Sequence, residues 1–284
     1  MLSSFTLHQP ATVTEASEML RHYGDDAAIY AGGTELLVIM KERLVHFGHL
    51  ISIKRLPGLS GIAIDDSSMS IGALTSHRAI ETSPLVHKHT PLLAEVEAQV
   101  ANIRVRNAGT IGGNLCFAEP HSDPATLFAA WDARFILNSA AGSRTVNSTD
   151  FFTGLLETIR QPDEVMTGIE LPLLPATAGS SYQRFKTHER PTAAAAVTLW
   201  LDHGQIRDAR VVAGSVGIGP ERLIDVESMM IGQPPSPALF SSVAEAAARL
   251  TYIEEEGFES SEYKRHLIQV LTRRALHEAA ERAA

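Results

Sequence analysis

The chain has 284 residues, 44% of them hydrophobic and 20% charged, with a formal net charge of −9. That composition describes a globular protein with ample core, of a length that predicts two domains or three subdomains. The negative charge argues against nucleic acid as a partner, and the single cysteine, Cys116, rules out an intrachain disulfide and an iron–sulfur cluster held by this chain alone.

No apolar run reaches the length needed to cross a bilayer. The opening Met-Leu-Ser-Ser-Phe-Thr lacks the basic and apolar regions of a signal peptide, so a cytoplasmic location is expected. Residues 12–23 predict a helix, with Thr12 or Thr14 as cap, an apolar stripe of Val13, Ala16, Met19, Leu20 and Tyr23, and Gly24 as stop. A short strand follows at 27–31. Gly32-Gly33-Thr34 then forms a loop opening a helix from Glu35 to about Arg43, and 49–53 reads as a second strand. Residues 1–55 thus form a small α/β unit.

The next unit spans 56–175. Two alternating strands, at 61–64 and 70–75, are joined by a turn at Asp65-Asp66-Ser67-Ser68. A short helix is expected from Thr75 or Ser76 to about Thr82 and a longer one from Pro91 to Ala101, with Leu92, Val96 and Val100 on one side. Ser122 or Asp123 caps a helix through Trp131, with Pro124 in its first turn, and strands are expected at 134–138 and 164–171. A linker covers 173–181. The third unit, 176–284, has three predicted antiparallel strands (182–187, 193–201 and 206–214) with a turn at His203-Gly204. Helices from Pro220 to Met230, 238–251 and 261–282 complete it.

Two glycine pairs carry the chemistry. Gly109-Thr110-Ile111-Gly112-Gly113-Asn114 has few atoms beyond Cβ and can bring its backbone close to a ligand, its N–H groups forming a concavity suited to a diphosphate. A branched side chain at Gly112 would stand against that diphosphate. Asp123, nine residues on, is placed to hydrogen-bond a ribose or adenine. The second pair, Ala31-Gly32-Gly33-Thr34-Glu35, follows a strand and precedes a helix, a natural anion site. Either pair alone reads equally as a tight turn; together they predict a shared dinucleotide site. Neither is the Gly-x-Gly-x-x-Gly of a Rossmann fold.

Residues 31–37 (Ala-Gly-Gly-Thr-Glu-Leu-Leu), 106–115 (Arg-Asn-Ala-Gly-Thr-Ile-Gly-Gly-Asn-Leu) with Ser122-Asp123-Pro124, and the tail from Ser261 to Leu271 resemble the FAD-binding medium subunit of the molybdenum hydroxylases, the family of xanthine dehydrogenase and aerobic carbon monoxide dehydrogenase. The resemblance runs over nearly the whole chain. It implies an α+β architecture: a two-subdomain FAD-binding fold of the vanillyl-alcohol-oxidase (PCMH) type, then a C-terminal three-stranded antiparallel sheet with a helix bundle that walls the flavin site and docks other subunits. It implies FAD on this chain, a small partner subunit with [2Fe-2S] clusters and a large one with the molybdenum cofactor, assembled as a dimer of heterotrimers. Electrons would pass from the clusters to the flavin and on to NAD⁺, a quinone or O₂. Carried over by position, Ala28, Ile29, Tyr30, Ala31, Gly32, Gly33, Thr34 and Glu35 would wrap the diphosphate together with Thr110, Ile111, Gly112, Gly113 and Asn114. Asp123 would hold the adenosine, Val165 would touch the adenine, and Arg184, where the family usually has Lys, would reach the flavin or diphosphate. Glu35 stands where Asp is common.

Other residues have plainer readings. Arg104 and Arg106 are structural charges or phosphate neutralisers; Cys116 is a small buried filler; Tyr182 is core packing or a stacking partner for the flavin ring. Ser143, Asp163 and Glu164 fall in predicted loops and are expected to be solvated. The twelve histidines show no metal-ligand spacing. No acid or base stands out, which suits a subunit whose chemistry is its cofactor's. The competing readings are a self-contained flavin oxidase or reductase and a non-catalytic FAD-binding scaffold.

Overall fold

The computed structural model describes residues 2–187, 190–255 and 259–283. The first unit is built on a three-stranded parallel sheet in the order β1 (Thr6–His8), β3 (His49–Ser52), β2 (Ala27–Tyr30). Helix α1 (Val13–Tyr23) covers it, with the Thr12 hydroxyl accepting from the Glu15 amide and Gly24 ending it at φ 54°. Ala16 and Leu20 pack on Ile51, Ile53, Leu56 and Leu59 as a small separate core. The expected helix from Glu35 to Arg43 is shorter, α2 (Leu36–Lys41). β1 was not foreseen, since three residues carry too little pattern to mark a strand.

The second unit is a five-stranded antiparallel sheet in the order β4 (Ile62–Ile64), β5 (Ser68–Gly72), β10 (Val165–Pro172), β6 (Arg134–Ser139), β7 (Gly142–Asn147). The Asp65 turn forms as expected: its Oδ1 accepts from the Ser67 and Ser68 amides. Six helices lie between β5 and β6: α3 (His77–Glu81), α4 (Pro84–His89), α5 (Pro91–Glu97), α6 (Ile103–Ala108), α7 (Ile111–Phe117) and α8 (Asp123–Ala130). The second glycine motif is therefore not an open loop. Thr110 caps α7 by accepting from the Gly113 amide, so Gly112 and Gly113 sit in a helical turn. β7 also corrects the loop expected around Ser143; it is an edge strand of polar residues with only Val146 buried. After α9 (Ser148–Phe151) comes a small hairpin, β8 (Phe152–Gly154) with β9 (Glu157–Thr158).

The C-terminal sheet has four strands, not three, in the order β11 (Ala178–Phe185), β12 (Ala193–Asp202), β13 (Gln205–Gly214), β14 (Glu221–Arg222). β14 and the short α10 (Ile224–Ser228) replace the helix expected from Pro220 to Met230. Arg222 pairs with Val212 in the ladder while its guanidinium binds Glu227 and Asp132, contacts that no local pattern announces. The predicted turn is present, with His203 and Gly204 both left-handed. α11 (Pro237–Leu250) and α12 (Ser261–Arg282) cover one face. β12 is buried on both sides. Ala193, Ala195, Val197 and Leu199 face α11 and α12 in one core, while Ala194 and Ala196 join the core of the second unit with Leu127 and Phe128 of α8. That shared core fixes the C-terminal sheet against the helices that carry the second glycine motif.

Candidate functional site

The two glycine motifs, about 75 residues apart in sequence, meet. A Cβ on Gly32 would collide with the Ala108 carbonyl oxygen and Gly109 Cα, and a Cβ on Gly109 would lie 3.2 Å from Thr34 Oγ1. The close approach of backbone to backbone is what requires glycine at position 32. Gly33 needs it for another reason: its φ is +79°.

The motifs line a cleft of about 720 Å³, within the range of small-molecule sites. Of the predicted residues, Ala28, Ile29, Ala31, Gly32, Gly33, Thr34, Glu35, Thr110, Gly112, Gly113, Asn114, Asp123 and Val165 line it. Tyr30, Ile111 and Arg184 do not. Tyr30 lies under Lys54, whose ammonium is 3.9 Å from the ring centre. Ile111 is fully buried in the core beneath α7. Arg184 binds Asp123 Oδ2 and the Gln99 carbonyl.

The amides of the two motifs differ. Those of Ile111, Gly112, Gly113 and Asn114 donate to Thr75 O, Ala73 O, Thr110 Oγ1 and Thr110 O. Those of residues 32–36 have no acceptor among the described residues. Consecutive free N–H groups, one on a left-handed glycine, form an anion-binding concavity.

Charge makes that concavity matter. The cleft carries Asp25, Glu35, Glu119, Asp123 and Glu164 against Arg160 and Arg190. Both arginines are engaged: Arg160 donates to the Glu164 carbonyl at 2.6 Å, and Arg190 pairs with Glu119 at 3.0 Å and Glu35 at 3.8 Å. Burial raises the Glu35 carboxyl above its ordinary value. Burial acts the same way on Glu119, but the hydrogen bond and charge of His121, with Arg190, outweigh it and lower that group. Burial likewise pushes the Cys116 thiol up, consistent with an inert filler at the cleft wall.

Asp123 sits at the inner end. Its Oδ1 accepts from Tyr182 Oη at 2.5 Å, and its Oδ2 is bound by Arg184. Burial raises its carboxyl despite these partners, and burial with the neighbouring Asp123 raises the Tyr182 phenol well above its usual value. Tyr182 is thus a core residue anchoring Asp123. Glu164, expected in solvent, is buried: Arg144 Nε and Nη2 hold it at 2.6 and 2.8 Å, and the Gln161 amide adds a third bond. Arg106 takes the structural role, binding Glu81 at 2.9 Å and the Val100 carbonyl at 3.0 Å. Sequence reasoning passed over His77, Glu119, His121, Arg160 and Arg190 as cleft residues; single histidines and arginines in helices and loops carry no local mark.

Residues 3–174 match the family described as the FAD binding domain in molybdopterin dehydrogenase, and residues 181–279 match the CO dehydrogenase flavoprotein C-terminal domain. The chain belongs to the FAD-binding medium subunits of the molybdenum hydroxylases. This flavin subunit is 33% identical to the carbon monoxide dehydrogenase medium chain of Hydrogenophaga pseudoflava, over 99% of its own length and 98% of the relative's. It is 26% identical to the xanthine dehydrogenase FAD-binding subunit of Escherichia coli O157:H7, over 100% and 98%. Its fold superposes on a chain of the Hydrogenophaga pseudoflava carbon monoxide dehydrogenase with a TM-score of 0.96, covering 100% of both at 33% identity. A chain of quinoline 2-oxidoreductase from Pseudomonas putida 86 gives 0.92 at 28% identity, covering 100% and 99%. No helix among the described residues is long and apolar enough to cross a membrane.

The flavin subunit's residues fit its cofactor. Arg190 is paired with carboxylates and Arg160 is bonded to a backbone carbonyl, so the amides of residues 32–36, without an acceptor among the described residues, are donors that would suit a diphosphate.

Proposed function

We propose that this cleft holds FAD with residues 28–35 and 110–114 around the diphosphate, Asp123 and Val165 toward the adenosine, and Arg184 acting from behind Asp123. The chain then takes electrons from [2Fe-2S] clusters of a small partner subunit, fed by a molybdenum-cofactor large subunit, and passes them to NAD⁺, a quinone or O₂. FAD when bound supplies the exchange between one-electron donors and a two-electron acceptor. This chain's residues bind and orient it. The amides of 32–36 meet the diphosphate charge, Gly32 and Gly109 bring the two walls together, and Tyr182 and Arg184 fix the Asp123 carboxylate while leaving each oxygen a second lone pair. The setting we propose is a cytoplasmic dimer of heterotrimers. Units at 1–55, 56–175 and 176–284 serve as the two walls of the cleft and the docking domain.

The observation that carries this reading is the row of unpartnered amides where the two motifs meet. Thr34→Asp places a carboxylate beside those amides. FAD affinity should fall about 10–100-fold, the value of a charge-assisted hydrogen bond lost to repulsion, with thermal stability of the flavin-free chain unchanged. Fluorescence titration with FAD measures it, and wild-type affinity in that variant overturns the placement. Metal analysis of whatever co-purifies with the chain tests the partners: molybdenum and iron support the assembly, and a chain that purifies alone and turns over an organic substrate refutes it.

A further inference from the structure

His77 and Glu97 form a buried pair at the cleft that the foregoing assignment does not use. His77 is 2% exposed and Glu97 0%. His77 Nδ1–H donates to Glu97 Oε2 at 2.7 Å. The other carboxylate oxygen, Oε1, is buried without a partner among the described residues. A carboxylate withdrawn from water with one hydrogen bond costs several kcal/mol. The pair lies at the junction of the motifs. His77 heads α3, its backbone amide donates to the Gly109 carbonyl, and its ring edge at Cδ2 would be 3.2 Å from a Cβ on Gly109, beside Thr34 Oγ1. Nε2, next to Cδ2 in the ring, makes no hydrogen bond among the described residues, and the residue lines the cleft.

We propose that His77, held by Glu97, is the residue through which the cleft takes up a proton when an anionic diphosphate binds at the junction of the two motifs. The inference rests on the placement of the diphosphate proposed above. One proton moves from solvent to Nε2; Nε2–H then donates to a phosphate oxygen while Nδ1–H stays on Glu97. The neutral ring, with Nδ1–H committed to Glu97, would offer the phosphate only a lone pair, so anion binding and protonation are coupled. The neighbouring charges are otherwise engaged. Arg106 of α6 faces Glu81 of α3, and Arg78 of α3 also binds Glu81. Glu35 of the first motif pairs with Arg190. Asp123 of α8 lies within reach of Glu97's charge but is bound by Arg184. Glu97 is the positioning residue, His77 the one that meets the ligand.

The test is isothermal calorimetry of FAD binding to the flavin-free full chain, alone or in the assembly it co-purifies with, in two buffers of different ionisation heat between about pH 6.5 and 8.5. Wild type should take up close to one proton at the alkaline end, its Kd rising there toward about tenfold per pH unit, as a one-proton linkage requires. ADP-ribose, which keeps the diphosphate as a diester with no ionisation of its own in this range, should show the same uptake; riboflavin, which lacks it, should show none. His77→Gln should make Kd flat with pH. Glu97→Gln should keep the hydrogen bond and move the profile to lower pH, a shift that a merely structural carboxylate would not cause. Wild-type binding with no proton uptake, or an unchanged pH profile in His77→Gln, overturns the inference even if Thr34→Asp abolishes FAD binding. Should Thr34→Asp bind FAD normally, the diphosphate placement itself fails. A misfolded His77→Gln leaves the wild-type proton count and Glu97→Gln to decide.

Discussion

The two glycine motifs look alike in sequence and do different physical work. At residues 32–36 the backbone is open: Gly33 is left-handed and the amides have no acceptor among the described residues. At residues 111–114 the backbone is a capped helical turn whose amides are already bonded to residues 73, 75 and 110. Gly112 is small because Ala73 is there; a Cβ on it would lie 2.6 Å from Ala73 Cβ and 2.8 Å from the Ala73 carbonyl oxygen. The first motif is the one that offers donors to a ligand under the proposed placement. The second is a packing joint that holds one wall of the cleft against the strand end at Ala73.

The largest effect should separate the two roles. Gly112→Val is expected to destabilise the flavin-free chain by about 3 kcal/mol or more, because the obstacle is backbone and a buried methyl rather than a mobile side chain. The sequence-level expectation, that a branched residue there only displaces the diphosphate, is corrected by this packing. Thermal unfolding decides: a stable Gly112→Val chain that merely loses FAD would make the motifs equivalent after all.

Gly33→Ala should act the other way. The left-handed φ costs about 1–2 kcal/mol, and the new methyl meets only side chains, the edge of the Tyr30 ring and the end of Leu37, rather than backbone. The chain should fold and bind FAD more weakly; titration with intact circular dichroism is the expected pair of results. Thr110→Ala removes the cap of α7 and should cost about 1 kcal/mol of stability with FAD absent, read from denaturant midpoints. The smallest effect concerns neither motif. Arg144, first through its hydrogen bonds, holds the Glu164 carboxyl below its ordinary value of 4.5. A depressed carboxylate stabilises the fold fully above that ordinary value, and the contribution is lost as pH falls through the lower, folded one. The stability gap between wild type and Arg144→Ala should therefore be constant at neutral pH and shrink in acid. A gap that widens there would show that Glu164 is not held this way.

Much of the fold was legible because it is written locally. Thr12, Ser76 and Ser122 each cap the helix that follows, and the amphipathic stripe of α1 and the His203-Gly204 turn are consecutive-residue signals. The helices α4 and α6, six residues each, lie between predicted elements and fall outside the sequence prediction. Glu164 was misjudged because its partner Arg144 lies 20 residues away, across a sheet whose edge strand β7 was itself read as loop.

The site divides in the same way. The sequence alone determined that the protein has two glycine motifs, an Asp after the second, no Rossmann pattern and an excess of acid, and the family follows from those residues. Only the tertiary structure decided that Gly32 abuts Ala108 and Gly109, that Arg184 reaches Asp123 instead of lining the cleft, and that His77 and Glu97 are buried together beside both motifs. A capping box or turn is set by neighbours within four residues, whereas these contacts join segments brought together only when the cores beneath α7, α8 and β12 close.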